Sequence, residues 1–273
     1  GLPSENNQKQ AFIPAGAQVI ENPVGTAPGF ILRKSNKSLI CLPGVPREME
    51  TLMQTTVIPF LVSTYALKGL IKVKVLHVSG VPESRVDQLV ADFETWQNPT
   101  VGLLAHPGIV DIRLTAKADS PAEADAMIAS LEKPIRERFG KDIFGEDGTT
   151  LYDHVKMLLA ESSQEFVFIE TGPAPVLGPL LKNLPRVKQF EYSPEVLSLE
   201  SLSAIAAEVF ARQKEGIVFF FTHWKEGAAI KCVSGIISSN KTNQVEKEYR
   251  GPAANGDIWV MNTALDFVRR NLV

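Results

Sequence analysis

The chain has 273 residues, with 28 Lys plus Arg against 31 Asp plus Glu, for a formal net charge of −3. Hydrophobic residues make up 44% and charged residues 22%, which excludes wholesale disorder and fits about two folded domains at ordinary domain sizes. The acidic balance argues against a general nucleic-acid binder, which needs a basic surplus.

The longest apolar run, Gly216 to Phe221, has the length of a strand and not of a membrane span. Cys41 and Cys232 lie far apart in apolar contexts, with neither metal spacing nor a disulfide framework. That usage fits a reducing cytoplasm. The chain opens without Met and without a charged-then-apolar leader.

Zone one covers residues 1–67. Its centre, Asn22-Pro23-Val24-Gly25-Thr26-Ala27-Pro28-Gly29-Phe30, reads as a turn-rich loop. Leu39-Ile40-Cys41-Leu42 reads as a buried strand stopped by Pro43-Gly44. Pro46 then starts a helix, because a first-turn proline has no amide bond to lose. Met49, Leu52, Met53, Phe60 and Leu61 share one face of it.

Zone two covers residues 68–148. Ile71, Val73 and Val75 alternate with Lys72 and Lys74, the pattern of a half-buried strand. A helix opens at Pro82-Glu83, with Val86, Leu89, Val90 and Phe93 inward. Val101 to Leu104 is a short strand and His106-Pro107-Gly108 the turn after it. Val110, Ile112, Leu114 and Ala116 alternate with Asp111, Arg113, Thr115 and Lys117, which leaves one sheet face wet. Ser120 caps a helix striped by Ile128, Leu131, Ile135 and Phe139. The order predicts a small α+β domain.

Zone three covers residues 149–273. Helices are predicted over 151–161, 173–184, 199–212 and at the end of the chain. The last carries Met261, Leu265, Val268 and Leu272. Strands are predicted at Phe166 to Ile169, Ile217 to Phe221, Ala229 to Ile237 and Gln244 to Tyr249. Helices alternating with buried strands indicate an α/β layer fold. The whole chain is therefore read as a multidomain α/β protein.

Several residues carry candidate chemistry. Gly25, Thr26, Ala27 and Gly29 can cradle phosphate, because glycines admit backbone amides close to an anion and Thr26 adds a hydroxyl. The competing reading is a plain tight turn. Gly44, ahead of the Pro46 helix, offers a second anion-friendly start. Glu48 is a candidate ligand for a divalent metal, or simply a first-turn acid that complements the helix dipole. Glu170-Thr171-Gly172 ends a buried strand, where α/β sheets place ligands. His77, His106, His154 and His223 show no ligand spacing.

These motifs carry a resemblance. Gln10-Ala11, Pro14-Ala15-Gly16-Ala17, Asn22, Gly25-Thr26-Ala27-Pro28-Gly29 and Leu42-Pro43-Gly44-Val45-Pro46 with Glu48-Met49 occur in the order of the CinA (competence- and damage-inducible) family. Zone one is similar to the latter part of that family's molybdopterin-binding-like domain. Zone two, with Asn98-Pro99-Thr100, Gly108 and Arg113-Leu114-Thr115, resembles its KH-like domain. Zone three is faintly similar to its C-terminal amidohydrolase domain.

The resemblance implies pyridine-nucleotide metabolism. Family members deamidate nicotinamide mononucleotide, and some cleave the pyrophosphate of ADP-ribose with a divalent, magnesium-like metal. It implies a small-molecule nucleotide as partner and a homodimer, while the charge balance and the short apolar runs speak for no nucleic acid and no membrane. Relatives carry a long segment ahead of this chain's first residue, so zone one is expected to be a remnant that closes no core of its own.

Relatives also have a Ser nucleophile where Thr171 stands, after the acid at Glu170. They place a Tyr where Tyr192 stands, and a Lys where this chain has Leu197. Leucine relays no proton, and losing a general base costs about 10²–10⁴ in rate. Their later glycine-rich loop is reduced to Thr222-His223-Trp224. The expected outcome is a hydrolase site with catalytic residues Thr171, Glu170 and Tyr192 and reduced or lost activity. The alternative is a silent nucleotide-binding or assembly module. RNA binding is not expected, because zone two lacks the Gly-x-x-Gly loop.

Overall fold

A computed structural model describes residues 12–67, 69–213 and 215–273. They form two compact units that meet in sequence at Gly69 and Leu70. The multidomain α/β class expected from the pattern is borne out, with three separate sheets.

The first unit is a three-stranded antiparallel sheet, β1 (Gln18–Ile20), β2 (Gly29–Lys34) and β3 (Lys37–Cys41), in that order. Helix α1 (Pro46–Leu52) starts on its proline as predicted. It runs through a π-helical turn, Met53–Val57, into α2 (Ile58–Tyr65). Contrary to expectation the unit gathers a small core: Ile20, Ile31, Leu52 and Val57 are buried, with Ile40, Leu42, Met53, Phe60 and Leu61 against them. The buried strand read at Leu39 to Leu42 is corrected. β3 is an edge strand, and Leu39 is 56% exposed while Ile40 and Leu42 pack inward, because only one face of the sheet is covered.

The second unit opens with a four-stranded antiparallel sheet of order β5-β6-β4-β7. Its elements are β4 (Leu70–Ser79), α3 (Glu83–Val90), β5 (Thr100–His106), β6 (Ile109–Ala118), α4 (Pro121–Phe139) and β7 (Ile143–Glu146). Ser120 caps α4 by accepting from the Glu123 amide, as its sequence position predicts. Val110, Ile112, Leu114 and Ala116 are buried under Ile128, Leu131, Ile135 and Phe139.

The parity of β4 runs opposite to the simple reading. Leu76 and Val78 set which face is inward, so Lys72 and Lys74 share that face. They pair there with Asp125 and with Glu132 and Glu146 of α4 and β7. Ile71 is 69% exposed on the other side.

The same unit continues with α5 (Leu151–Glu161), β8 (Phe166–Thr171), α6 (Gly178–Leu181), β9 (Val187–Ser193) and α7 (Leu199–Gln213). β10 (Ile217–Glu226), β11 (Ala229–Ile237), β12 (Thr242–Tyr249) and α8 (Gly256–Leu272) complete it. The sheet order is β12-β11-β10-β8-β9, with β9, β8 and β10 parallel and β11 and β12 returning as antiparallel hairpins. Thr150 starts α5 with a capping box closed by Asp153.

One face of the sheet carries stacked rings from Phe166, Phe168, Phe219 and Phe221, closed by Phe267 of α8. The other packs Val167, Ile169, Val218 and Phe220 against Leu202 and Ala206 of α7. Ile205 of α7 is 38% exposed. The helix predicted over 173–184 contracts to one turn, because Pro173 and Pro175 withhold amide donors ahead of it, while Pro179 sits harmlessly in its first turn. Among the described residues no helix is long and apolar enough to cross a membrane.

A buried ion cluster ties the two layers of this unit together. Asp266 of α8 accepts from Ser79 Oγ at 2.6 Å, from Arg269 Nη2 at 2.7 Å and from Arg270 Nε at 2.8 Å. Arg269 also donates to the Lys141 carbonyl, and Arg270 pairs with Asp142. Burial opposes the Asp266 charge, yet the Ser79 hydroxyl and the two guanidinium groups outweigh it and hold the carboxyl below its ordinary value.

Removing one partner of a buried ion pair costs about 3–5 kcal/mol, so Asp266→Ala is expected to lose stability on that scale in urea titration. The Asp266 contribution is complete above its unfolded value of 3.8 and fades as pH falls through its lower folded value. The stability gap between wild type and Asp266→Asn is therefore expected to narrow in acid. A gap that widens as pH drops below 3.8 would contradict the assignment.

Candidate functional site

The strand-end site predicted in the C-terminal layer is built by β8, β9 and β10. β8 is buried along its whole length. It ends in Glu170 and Thr171, in register with Tyr192 and Ser193 of β9 and with Phe221 and Thr222 of β10. Successive strand residues point to opposite faces, so Thr171 is turned away from Glu170 and from Tyr192, the register partner of Glu170, and the three predicted catalytic side chains do not converge.

Glu170 lies on the phenylalanine face. Its carboxylate accepts from three backbone amides, Val176 at 2.7 Å, Leu177 at 3.0 Å and Gly178 at 3.1 Å. It thereby holds the loop that leads into α6. Burial pushes the Glu170 carboxyl up, against the pull of those amides. Thr171 lies on the α7 face at 2% exposure. Among the described residues its hydroxyl has no hydrogen-bond partner, and neither has that of its neighbour Thr222 at 1% exposure. Tyr192 is 38% exposed and donates to the Gly172 carbonyl at 2.9 Å.

Leu197, at the position where the resemblance puts a lysine, packs with the cluster of Val167, Ile169 and Leu202. Gly172 sits at φ +135°, and a side chain there would strike the His223 backbone and ring, so the end of β8 is pressed against β10. Thr222-His223-Trp224, read as the remnant of a loop, lies within β10, because the strand runs on into its hairpin with β11. His223 is 6% exposed, and burial lowers its pKa against the opposing charge of Asp257. It is neutral near pH 7 but stands on the face opposite Thr171. The Cys232 thiol is pushed up to about 12 by burial and is inert as a nucleophile.

The first unit holds the other predicted constellation together. Asn22 donates to the Ala27 carbonyl at 2.9 Å and to Glu48 Oε2 at 2.7 Å. Its side-chain Oδ1 accepts from the Val24 amide at 3.1 Å. Glu48 therefore leaves α1 to lie across the loop, where a Cβ on Gly25 would run into its carboxylate. Gly25, Thr26 and Ala27 thus sit in a loop pinned at both ends by Asn22. A Cβ on Gly29 would meet the Cys41 carbonyl at 2.8 Å, so its glycine serves strand packing. Around Gly44 there is open space. Glu48 stands as a single candidate ligand for a divalent ion. Among the described residues no three His, Cys, Asp or Glu side chains gather to hold one, so they do not fit a complete metal centre.

Two features escaped sequence reasoning. The pattern gives Asn22 a place in a turn and in the family motif but no clasping role, although an Asx ahead of a glycine-rich segment is a signal for such a clasp. The ion cluster of α8 was also missed, although Asp266, Arg269 and Arg270 break the apolar stripe at helical spacing.

Known proteins match along the whole chain. A family model described as "Damage-inducible protein CinA KH domain" matches residues 73–145, and one described as "Probable molybdopterin binding domain" matches residues 5–63. A competence-damage inducible protein of Clostridium botulinum (strain 657 / Type Ba4) is 33% identical over 98% of this chain and 73% of its own. A CinA-like protein of Dictyoglomus thermophilum is 32% identical over 99% of this chain and 73% of its own. The crystal structure of a CinA superfamily protein from Enterobacter cloacae aligns with 48% of this chain and 97% of its own, at a TM-score of 0.39 and 10% identity, a likeness too faint to rest anything on.

A buried hydroxyl without a partner is a net cost, of about 1–3 kcal/mol in desolvation. Thr171→Val, which keeps the shape and removes the hydroxyl, is expected to raise stability by about 1 kcal/mol in urea titration. A loss of stability would mean that the hydroxyl has a partner after all.

Proposed function

This chain belongs to the competence- and damage-inducible CinA family, and we propose that it serves pyridine-nucleotide metabolism as a nucleotide-binding member that no longer deamidates. The observation that carries this reading is the sealed Thr171 hydroxyl. A nucleophile must reach its substrate and needs a base to take its proton. Thr171 lies in the core, and the position expected to hold the lysine is the apolar Leu197. Glu170 is engaged by loop amides on the other face of the sheet, and Tyr192 by a backbone carbonyl.

The nucleotide-binding part of the proposal rests on the first unit. Asn22 and Glu48 hold the Gly25–Ala27 segment in one shape before any ligand arrives. A loop ordered in advance loses less entropy on binding a phosphate.

With nicotinamide mononucleotide as substrate, the intact protein is expected to release ammonia at the background rate, and Thr171→Ala is expected to match it. Robust release that disappears in Thr171→Ala would overturn the proposal. Binding of ADP-ribose, read by calorimetry, is expected to weaken roughly tenfold in Gly25→Ala, because the added methyl displaces Glu48 from Asn22. Unchanged affinity in that variant would remove the first-unit loop from the binding site.

A further inference from the structure

A cleft of about 660 Å³ opens between the two layers of the second unit. The volume falls within the roughly 300–1,000 Å³ of small-molecule sites. One wall is the Gly80–Glu83 segment and the His106 turn of the four-stranded layer. The other is β12 and the first turns of α8, with Lys247, Tyr249 and Trp259. None of Thr171, Glu170 and Tyr192 lines it.

Two properties of the walls define what fits. The first is aromatic. Tyr249 and Trp259 stack with ring centroids 5.3 Å apart and planes 26° apart, giving a broad π surface on a rigid strand and helix. Both residues are half-buried. Flat rings pack on such surfaces by offset stacking.

The second property is charge. Most charged groups in and around the cavity are already neutralised. Asp266 is matched by Arg269 and Arg270, and Glu248 by Arg250. Glu226 and Glu246 face Lys231, and the His106 ring donates to the Asp111 carboxylate. Glu83 lies in the first turn of α3, where the helix dipole complements it. Lys247 is half-buried on the cavity wall, and among the described residues it has no ion-pair partner. A half-buried ammonium beside apolar rings gains most from an anion delivered to it.

We propose that this cavity is a binding site for a planar aromatic ligand with one anionic group, its ring against Tyr249 and Trp259 and its anion on Lys247. Mononucleotides and aromatic carboxylates share that chemistry. The site is distinct from the first-unit loop and from the end of β8.

The test is calorimetry on the full chain with AMP, indole acetate and uncharged adenosine. At least one anion is expected to bind, and to weaken roughly tenfold in Lys247→Gln. Adenosine is expected to respond to that variant by less than about twofold, since it carries no charge to lose. Trp259→Phe is expected to retain most of the affinity and Trp259→Leu to lose it, with circular dichroism checking that each variant folds. AMP binding the tighter would mark a mononucleotide site, and indole acetate the tighter a carboxylate site. Binding of neither anion, or anion binding that ignores both Lys247→Gln and Trp259→Leu, would overturn the proposal. Nucleotide held by the first-unit loop is insensitive to both substitutions, so the two sites are told apart.

Discussion

The carboxylate of Asp266 is the constraint on which the second unit depends. It is 2% exposed in an apolar surround and accepts from a serine and two arginines. A charge so placed is tolerable only while every partner stays in position. Ser79 ends β4, Lys141 and Asp142 lead into β7, and the arginines belong to α8. The cluster therefore locks one end of the four-stranded layer to the last helix of the five-stranded one. It also dictates Gly80, whose φ of +71° and close approach to Asp266 leave no room for a side chain. Asn262 adds a second tie by donating to the Pro107 carbonyl at 2.8 Å. Between these two fastenings the layers stay apart, and the cavity beside Lys247 is the space that remains.

The end of β8 is held together by packing and backbone hydrogen bonds. Nothing in the aromatic stack from Phe166 to Phe267 requires a reactive group at Thr171. Glu170 earns its burial differently, by closing the loop into α6 through three amides. An acid kept for structure and one kept for chemistry look alike in a linear motif. They differ in where the lone pairs go. Those of Glu170 go to backbone N–H groups, which leaves the acid little freedom to move a proton.

Long periodic elements were legible in the sequence. The alternation of Val110 to Ala116, the Ser120 cap and the helix ending at Leu272 all stand where pattern alone puts them. What misled was parity and context. In β4 two lysines sit on the inward face, because Leu76 and Val78 decide the register and acids on α4 and β7 receive the ammonium groups. No local rule weighs Leu76 against Ile71. The segment from Pro173 to Leu184 shows the reverse fault, an apolar stretch read as helix whose prolines leave one turn of it. For the candidate site, the motif Glu170-Thr171 marks the end of β8, as the pattern predicts. It carried no information on which face each side chain takes, and that depends on the register with β10 and β9.

The two candidate ligand sites differ in what prepares them. In the first unit, preparation is local. Asn22 reaches Ala27 five residues on and Glu48 on the next helix, so a short stretch of chain shapes the loop and a small core suffices to carry it. In the second unit, preparation is tertiary. Among the described residues Lys247 lacks an acid because the nearby acids on β10 and β12 are drawn to Lys231 and Arg250, and Tyr249 finds Trp259 only because α8 folds back over the sheet. A site of the first kind is visible as a motif. A site of the second kind appears only when the charges around it have been paired off and one is left over.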